Sequence, residues 1–205
     1  MEKVKDIRIV KRKLRAKYRS YRENLDPVEK ERMDDRIYDR IVSSQYYQNA
    51  HTLLCFVSTD IEVNTHSLLM KALSDGKQVA VPKCLDRNGR MDFFQIRGMQ
   101  DLSPAMFSLL EPSDRAPRIR DYRGSVCILP AFAFDTGGYR IGYGKGYYDR
   151  FLQKYHGIKV GVCYNYCIVP ELPHGRFDVP ADYIVTPKYT ITVKKEANQG
   201  DAYDE

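Results

Sequence analysis

The residues best suited to chemistry lie in one run, Asp135-Thr136-Gly137-Gly138-Tyr139-Arg140-Ile141-Gly142-Tyr143-Gly144-Lys145-Gly146-Tyr147-Tyr148-Asp149-Arg150. Glycines at 142, 144 and 146 carry no Cβ, so the backbone there can turn sharply and approach a ligand closely. Arg140, Lys145 and Arg150 add positive charge. The run follows an apolar segment and precedes a segment expected to be helical, whose first turn would leave N–H groups free for an anion. These features together describe a phosphate cradle. Its spacing departs from the familiar ones. Gly146 stands where Ser or Thr follows the lysine of a P-loop, and Tyr147 occupies the last glycine position of a dinucleotide fingerprint. Asp149 can hold Mg²⁺ beside bound phosphates or simply complement a helix dipole. Asp178 and Asp182 are candidates for a second carboxylate. No Ser-His-Asp or Cys-His set is evident. His51, His66, His156 and His174 lack partners at metal-ligand spacing and are assigned surface or structural roles.

The charge pattern points to the same kind of ligand. The net charge of +6 arises at the N-terminal end, where residues 1–22 hold ten Lys or Arg against two acids, while the remainder is slightly acidic. Such a segment suits nucleic acid, a membrane surface or a small polyanion such as a nucleoside triphosphate, or it is a solvated helix face. Five cysteines lie mostly in apolar runs with no Cys-x-x-Cys pair, which favours buried free thiols in a reducing compartment. There is no apolar core of signal-peptide type and no run of 18 apolar residues. The expectation is therefore a cytoplasmic protein without a membrane span.

The elements that must position these residues follow from periodicity. Ile7, Val10, Leu14, Tyr18, Tyr21 and Leu25 recur at helical spacing, with Lys11, Arg12, Lys13 and Arg15 mainly beside or opposite that stripe. Asp26-Pro27-Val28-Glu29 predicts a second helix start with a capping box, and Met33, Ile37 and Ile41 give that helix an apolar face. Strands are predicted over 52–57, 78–82, 91–96, 125–130, 158–162 and 183–186, and helices over 65–74 and 147–155. Alternating strands and helices imply an α/β fold: one three-layer domain with a mostly parallel central sheet flanked by helices. That domain is expected to span residues 1–193, with 1–44 a basic helical region packed on it and 194–205 a polar tail. Ser103 to Arg123 is expected to cross the surface.

The glycine run resembles the signature of the 5-formyltetrahydrofolate cyclo-ligase family, most specifically over Arg140 to Leu152 with Leu129 to Asp135 leading into it. Lys11-Arg12-Lys13-Leu14-Arg15, Phe56-Val57-Ser58 with Glu62, Leu110-Glu111-Pro112, Leu172-Pro173, Asp178, Asp182 and Val185-Thr186 are similar to further family segments, in order over residues 8–187. The resemblance implies a Rossmann-like fold and ATP-dependent closure of 5-formyltetrahydrofolate to 5,10-methenyltetrahydrofolate through a phosphorylated formyl group. It implies ATP contacts from Lys11, Arg12, Lys13, Leu14 and Arg15 and from Arg140, Ile141, Gly142, Tyr143, Gly144, Lys145, Gly146, Tyr147 and Tyr148. It implies folate contacts from Val57, Glu62, Tyr143, Gly144, Lys145, Gly146 and Tyr147, and Mg²⁺ held by Asp149 and Asp178. Arg140 and Lys145 are expected to be catalytic, stabilising the transferring phosphoryl group. Cys167 and Phe177 depart from the family pattern, where Gln and His are common. The expected partners are the folate and ATP, with no nucleic acid and no membrane, and the chain is expected to act as a monomer or weak homodimer. The competing readings are a basic nucleic-acid-binding protein and an α/β enzyme of sugar-phosphate isomerase type.

Overall fold

The computed structural model describes residues 7–105 and 109–194. The first six residues of the basic segment, and the expected polar tail beyond Lys194, lie outside the described residues. The helices are α1 (Ile7–Glu23), α2 (Pro27–Val42), α3 (Gln45–Gln48), α4 (His66–Ser74) and α5 (Tyr147–Leu152). The strands are β1 (Thr52–Cys55), β2 (Gln78–Cys84), β3 (Met91–Ile96), β4 (Leu102–Pro104), β5 (Leu110–Pro112), β6 (Ser125–Pro130), β7 (Ala133–Asp135), β8 (Arg140–Ile141), β9 (Ile158–Val162), β10 (Ile168–Val169), β11 (Tyr183–Val185) and β12 (Thr190–Thr192).

Every residue of β1 and β6 is buried, as expected for parallel strands covered on both faces. They sit inside a seven-stranded sheet of order β12-β11-β9-β6-β1-β2-β3, whose five inner strands run parallel. The edge strands β3 and β12 run antiparallel to their neighbours. The sheet is mostly parallel and flanked by helices, as predicted. From β1 the chain moves to β2 on one side, and the later strands build outward from β6 on the other. The order therefore reverses between β1 and β6, and in open α/β sheets the crevice outside the carboxyl ends at such a point is where ligands bind.

Three departures from the predicted elements matter for function. Between β6 and the glycine run the chain first makes a β7–β8 hairpin, which joins β10 in a small second sheet. Phe134 of β7 packs on the face of Gly161 in β9, where a Cβ would collide with its ring. The helix after the glycine run is also shorter than predicted, ending at Leu152. Finally, Ser103 to Arg123 is no mere surface crossing. It contains the antiparallel β4–β5 hairpin, and it buries Glu111 and Ile119. Ile119 accounts for part of this, because its N–H donates to the Phe93 carbonyl and so extends the sheet edge.

Helix α2 starts as predicted. Asp26 accepts from the N–H groups of Val28 and Glu29, Pro27 opens the helix, and Met33, Ile37 and Ile41 are buried. Only the Asp26 half of the expected capping box is formed among the described contacts. Helix α1 is different. Its predicted apolar stripe fails at Ile7, which is 39% exposed, and its buried residues are Tyr18 and Arg22. The Arg22 guanidinium donates to the Ala131 and Phe132 carbonyls and lies over the Phe132 and Tyr164 rings, pinning α1 to the loop beyond β6. Cys163 and Cys167 lie outside any α-helix, and all five cysteines are free.

Gly161 supplies a test of how the small sheet docks. Gly161→Ala should destabilise the protein by about 1–3 kcal/mol, because the fully buried Phe134 ring cannot retreat without repacking. Urea unfolding measures this, and an unchanged midpoint would show that the two sheets are not in that contact.

Candidate active site

A cleft of about 760 Å³ opens at the strand-order reversal, within the range of small-molecule sites. Phe56 to Glu62 beyond β1, Pro130 at the end of β6, and Pro82 and Cys84 of β2 form its floor and sides. The glycine loop from Gly142 to Gly146 and the inward side of α1 close it from above.

The glycine loop is shaped by backbone demands. Gly144 and Gly146 have φ of +92° and +71°, values that side chains with a Cβ rarely adopt. Space is also tight at Gly144, where a Cβ would lie 3.0 Å from the Arg15 guanidinium carbon and that side chain would have to give by a few tenths of an ångström. Arg15 also donates from Nε to the Gly142 carbonyl at 2.8 Å. Arg150 braces the far side of the loop by donating to the Lys145 carbonyl at 2.9 Å. The β2–β3 turn leans on the same place: a Cβ on Gly89, whose φ is +95°, would meet the Arg150 guanidinium and approach the Lys145 carbonyl to 2.8 Å. Tyr147 ties the turn down, its hydroxyl donating to the Asp86 carbonyl at 2.7 Å.

Charge is organised in pairs around this loop. Arg140 is 9% exposed, and its guanidinium donates to Asp149 and to the Val179 carbonyl, each at 2.6 Å. Lys11 donates to Asp178 at 2.7 Å, and the Gly175 N–H donates to the same oxygen. Burial alone would raise the Asp178 carboxyl, but the Lys11 and Gly175 hydrogen bonds and the Lys11 and Arg140 charges outweigh it and hold it below the usual range. Asp149 and Asp178 each keep one oxygen without a hydrogen bond among the described residues. Lys145 is exposed in the cleft, and its ammonium has no partner among them. No group of three or more His, Cys, Asp or Glu that could hold a metal occurs among the described residues. The two aspartates therefore suit an ion that arrives with a ligand's phosphates, since Mg²⁺ takes one or two carboxylates and fills its octahedron with phosphate and water.

The other side of the cleft suits a flat polar heterocycle. Glu62 is 5% exposed. One of its oxygens accepts from the Thr59 N–H and hydroxyl at 2.9 and 3.0 Å, and the other from the Tyr143 hydroxyl at 2.8 Å. Burial and then the Glu62 charge push the Tyr143 phenol above its ordinary value, so it keeps its proton and donates. The Tyr143 ring leans on Phe132, with centroids 4.7 Å apart. Val57 is buried on the floor. The Tyr148 hydroxyl is buried with no hydrogen-bond partner, a rare state that a ligand atom can relieve.

The fold thus brings Lys11, Arg15, Val57, Glu62, Arg140, Gly142, Tyr143, Gly144, Lys145, Gly146, Tyr147, Tyr148, Asp149 and Asp178 to one cleft. Four expected contacts do not line it. Arg12 and Lys13 are exposed on the outer side of α1, Leu14 packs against the core, and Ile141 is buried behind the loop. Helical geometry is the reason: Lys11 and Arg15 are one turn apart, whereas the three residues between them point elsewhere. Asp182 instead pairs with Lys159 at 2.8 Å. Of the histidines, His174 stacks on Tyr139 with centroids 3.6 Å apart. Sequence reasoning missed Arg19, Pro82, Cys84, Met91, Leu110 and Glu111, which also line the cleft. Of these, Leu110 and Glu111 fall in a segment that resembles a family marker, without having been assigned to the site.

These features define an α/β enzyme with its ligand cleft at the carboxyl ends of parallel strands. Residues 8–187 match the sequence profile of the 5-formyltetrahydrofolate cyclo-ligase family, and the chain belongs to that family of ligases. The 5-formyltetrahydrofolate cyclo-ligase of Escherichia coli is 30% identical over 174 residues, covering 82% of this chain and 96% of the relative. The probable 5-formyltetrahydrofolate cyclo-ligase of Caenorhabditis elegans is 27% identical over 199 residues, covering 90% and 96%. The solution structure of Aquifex aeolicus 5,10-methenyltetrahydrofolate synthetase superimposes with a TM-score of 0.81 at 26% identity, covering 95% of this chain and all of the other.

Two measurements probe this geometry. Gly89→Ala should lower affinity for a phosphorylated ligand several-fold with little change in overall fold by circular dichroism, because the added Cβ displaces Arg150 and the Lys145 carbonyl. Unchanged affinity would mean the β2–β3 turn does not set the loop. The second concerns pH. The lowered Asp178 carboxyl contributes stability above its unfolded pKa of about 3.9, and that contribution is lost as pH falls through the lower folded value. Lys11→Met should therefore lower the melting temperature at pH 6–7, and the gap to wild type should close in stronger acid. A gap independent of pH would assign the effect to something other than the ion pair.

Proposed function

We propose that the chain closes 5-formyltetrahydrofolate to 5,10-methenyltetrahydrofolate with ATP, releasing ADP and phosphate. The observation that carries this reading is the union, in one cleft, of a lysine on a glycine loop, without a partner among the described residues, and a buried carboxylate beside a donating tyrosine. The first half suits a triphosphate and the second a pterin. Family membership supports the pairing, and it sets aside the isomerase alternative. The inward orientation of Lys11 and Arg15 favours a small polyanion over nucleic acid as the partner of the basic helix. Among the described residues no helix is long and apolar enough to cross a membrane, and we propose a cytoplasmic location.

The formyl oxygen of the substrate is a poor leaving group. In the proposed reaction it attacks the γ-phosphorus of ATP, ADP departs, and an iminophosphate forms. N10 then attacks the activated carbon, loses its proton, and expels phosphate as the methenyl bridge closes. Phosphoryl transfer depends on positioning and charge neutralisation more than on a protein nucleophile. Lys145, with its free ammonium, and Arg140, already fixed by Asp149 and Val179, stabilise the transferring group. Lys11 and Arg15 hold the phosphates from the α1 side, and the backbone of Gly142 to Gly146 follows them closely. Arg12 and Lys13 contribute only through their charge at longer range. Asp149 and Asp178 would hold Mg²⁺, which would supply charge neutralisation to the phosphates. Glu62 accepts pterin N–H donors, and Val57, Tyr143 and Tyr147 wall the ring.

An absorbance assay for methenyl product from 5-formyltetrahydrofolate, with and without ATP and Mg²⁺, tests the reading directly. Product should form only when both are present, and formation without ATP would overturn it. Lys145→Ala should reduce turnover by about 10²–10³-fold with folding intact. Unchanged turnover would remove Lys145 from the mechanism.

A further inference from the structure

The β4–β5 hairpin carries a second acid into the cleft. Glu111 is 6% exposed and lines the same cavity as Glu62 and Tyr148. Its Oε1 accepts from the Cys84 N–H at 3.1 Å, and the Cys84 thiol is a second, weaker donor to the same carboxylate. No lysine, arginine or histidine pairs with it among those residues. Its neighbour Lys83 gives its ammonium to the Pro112 carbonyl and to Asp114 instead. Burial first and then the charge of Glu111 push the Cys84 thiol up to about 11, so the sulfur stays protonated beside the carboxylate.

A carboxylate withdrawn from water without a cation is destabilising unless donors surround it. The protein supplies only the backbone N–H and the weak thiol donor of Cys84, and a glutamine oxygen would accept the N–H bond equally well. The contacts within the chain therefore give no reason for a charge at this position. A ligand does. A reduced folate presents N–H groups on its pterin ring, at N8 and at N10, more than Glu62 can accept. Glu62 also spends its oxygens on three donors from Thr59 and Tyr143, whereas Glu111 meets only the N–H and thiol of Cys84.

We infer that Glu111 is a second anchoring carboxylate for the reduced folate, accepting an N–H donor that Glu62 does not reach. The inference rests on the folate reading of the cleft and goes beyond it by adding a specificity-determining residue. The hairpin that carries Glu111 is then part of the binding wall, and the charge is kept for the substrate at a cost to the empty protein.

Glu111→Gln isolates the charge because it preserves the acceptor for Cys84. Calorimetric titration of 5-formyltetrahydrofolate and of Mg-ATP, each alone, into wild type and E111Q provides the test, together with thermal unfolding of both proteins. The folate Kd should rise about tenfold or more, as for loss of a hydrogen bond to a charged group. The ATP Kd should stay within twofold and the melting temperature should not fall. An unchanged folate Kd overturns the inference. So does a lower melting temperature with both ligands weakened alike, which would make Glu111 a structural residue. If wild type itself fails to bind the folate, the functional reading falls and takes this inference with it, so the two failures are distinguishable.

Discussion

The arrangement depends on one close approach, the Arg15 side chain lying against the backbone of Gly144. A Cβ at 144 would sit at 3.0 Å from the guanidinium carbon, closer than such atoms normally come, and the backbone there is already left-handed. Glycine thus does two things at one position: it permits the turn, and it lets a cation from a helix more than 120 residues away rest on the loop. Lys11, Arg15, Tyr18 and Arg22 follow one another at four-, three- and four-residue steps, so they share a single helix face. That face is stitched to Asp178, to the Gly142 carbonyl, to Tyr166 and to the Ala131 and Phe132 carbonyls in turn. Without the contact at Gly144, α1 would lose its central tie to the cleft.

The ion pairs around the loop are poorly explained as stabilising devices. Pairs that are partly open to water contribute about 1 kcal/mol or less, and Lys11 and Asp178 keep 18% and 23% of their side-chain surface exposed. They make better sense as charges stored for a ligand. A carboxylate held below its ordinary pKa stays ionised, and the cation beside it is close to hand for phosphate oxygens. Arg140 is more deeply set, and its second bond to a backbone carbonyl fixes the guanidinium plane. Lys145 carries no such restraint among the described residues, so its ammonium can move to meet a ligand.

The central sheet was legible because its strands bury both faces. β3, β6 and β9 occupy the predicted residues, β6 as a continuous buried run, whereas the short and largely exposed edge strand β12 was not predicted. The short strands β7, β8 and β10 were not legible. Two or three residues give no period, and they exist because Phe134 finds a flat glycine to pack on. The face of α1 was legible in part. Leu14, Tyr18, Tyr21 and Leu25 of its apolar stripe pack on the core and Ile7 does not, while Lys11, Arg15 and Arg22 also turn inward, satisfied by an aspartate, carbonyls and aromatic rings. The glycine loop and its flanking charges could be read from spacing, because backbone chemistry leaves a mark on residue type. Glu111 and Cys84 could not, because their meeting depends on which loop happens to fold back beside β2.

The cleft joins two kinds of construction, and the difference bears on what sequence change it can absorb. The glycine-loop side is built largely from backbone, and at Gly144 and Gly146 the dihedral angles disfavour a Cβ, so substitution there disturbs the shape itself. The opposite side is built from side chains on the loop beyond β1, on β2 and on β5. Cys167 and Phe177, the two departures from the family pattern, fall on neither side. Cys167 is fully buried beneath the Tyr18–Tyr166 contact region, and Phe177 is 59% exposed under the Arg176 guanidinium. Neither lines the cleft. Their nearest influence is through Asp178, which follows Phe177 in the chain and is held in place by Lys11 and Gly175 rather than by the aromatic ring. A histidine at 177 would add a titratable group next to that aspartate. Phenylalanine leaves the electrostatics of Asp178 to Lys11 and Arg140, and so makes the tie between α1 and the C-terminal segment the main control on its charge.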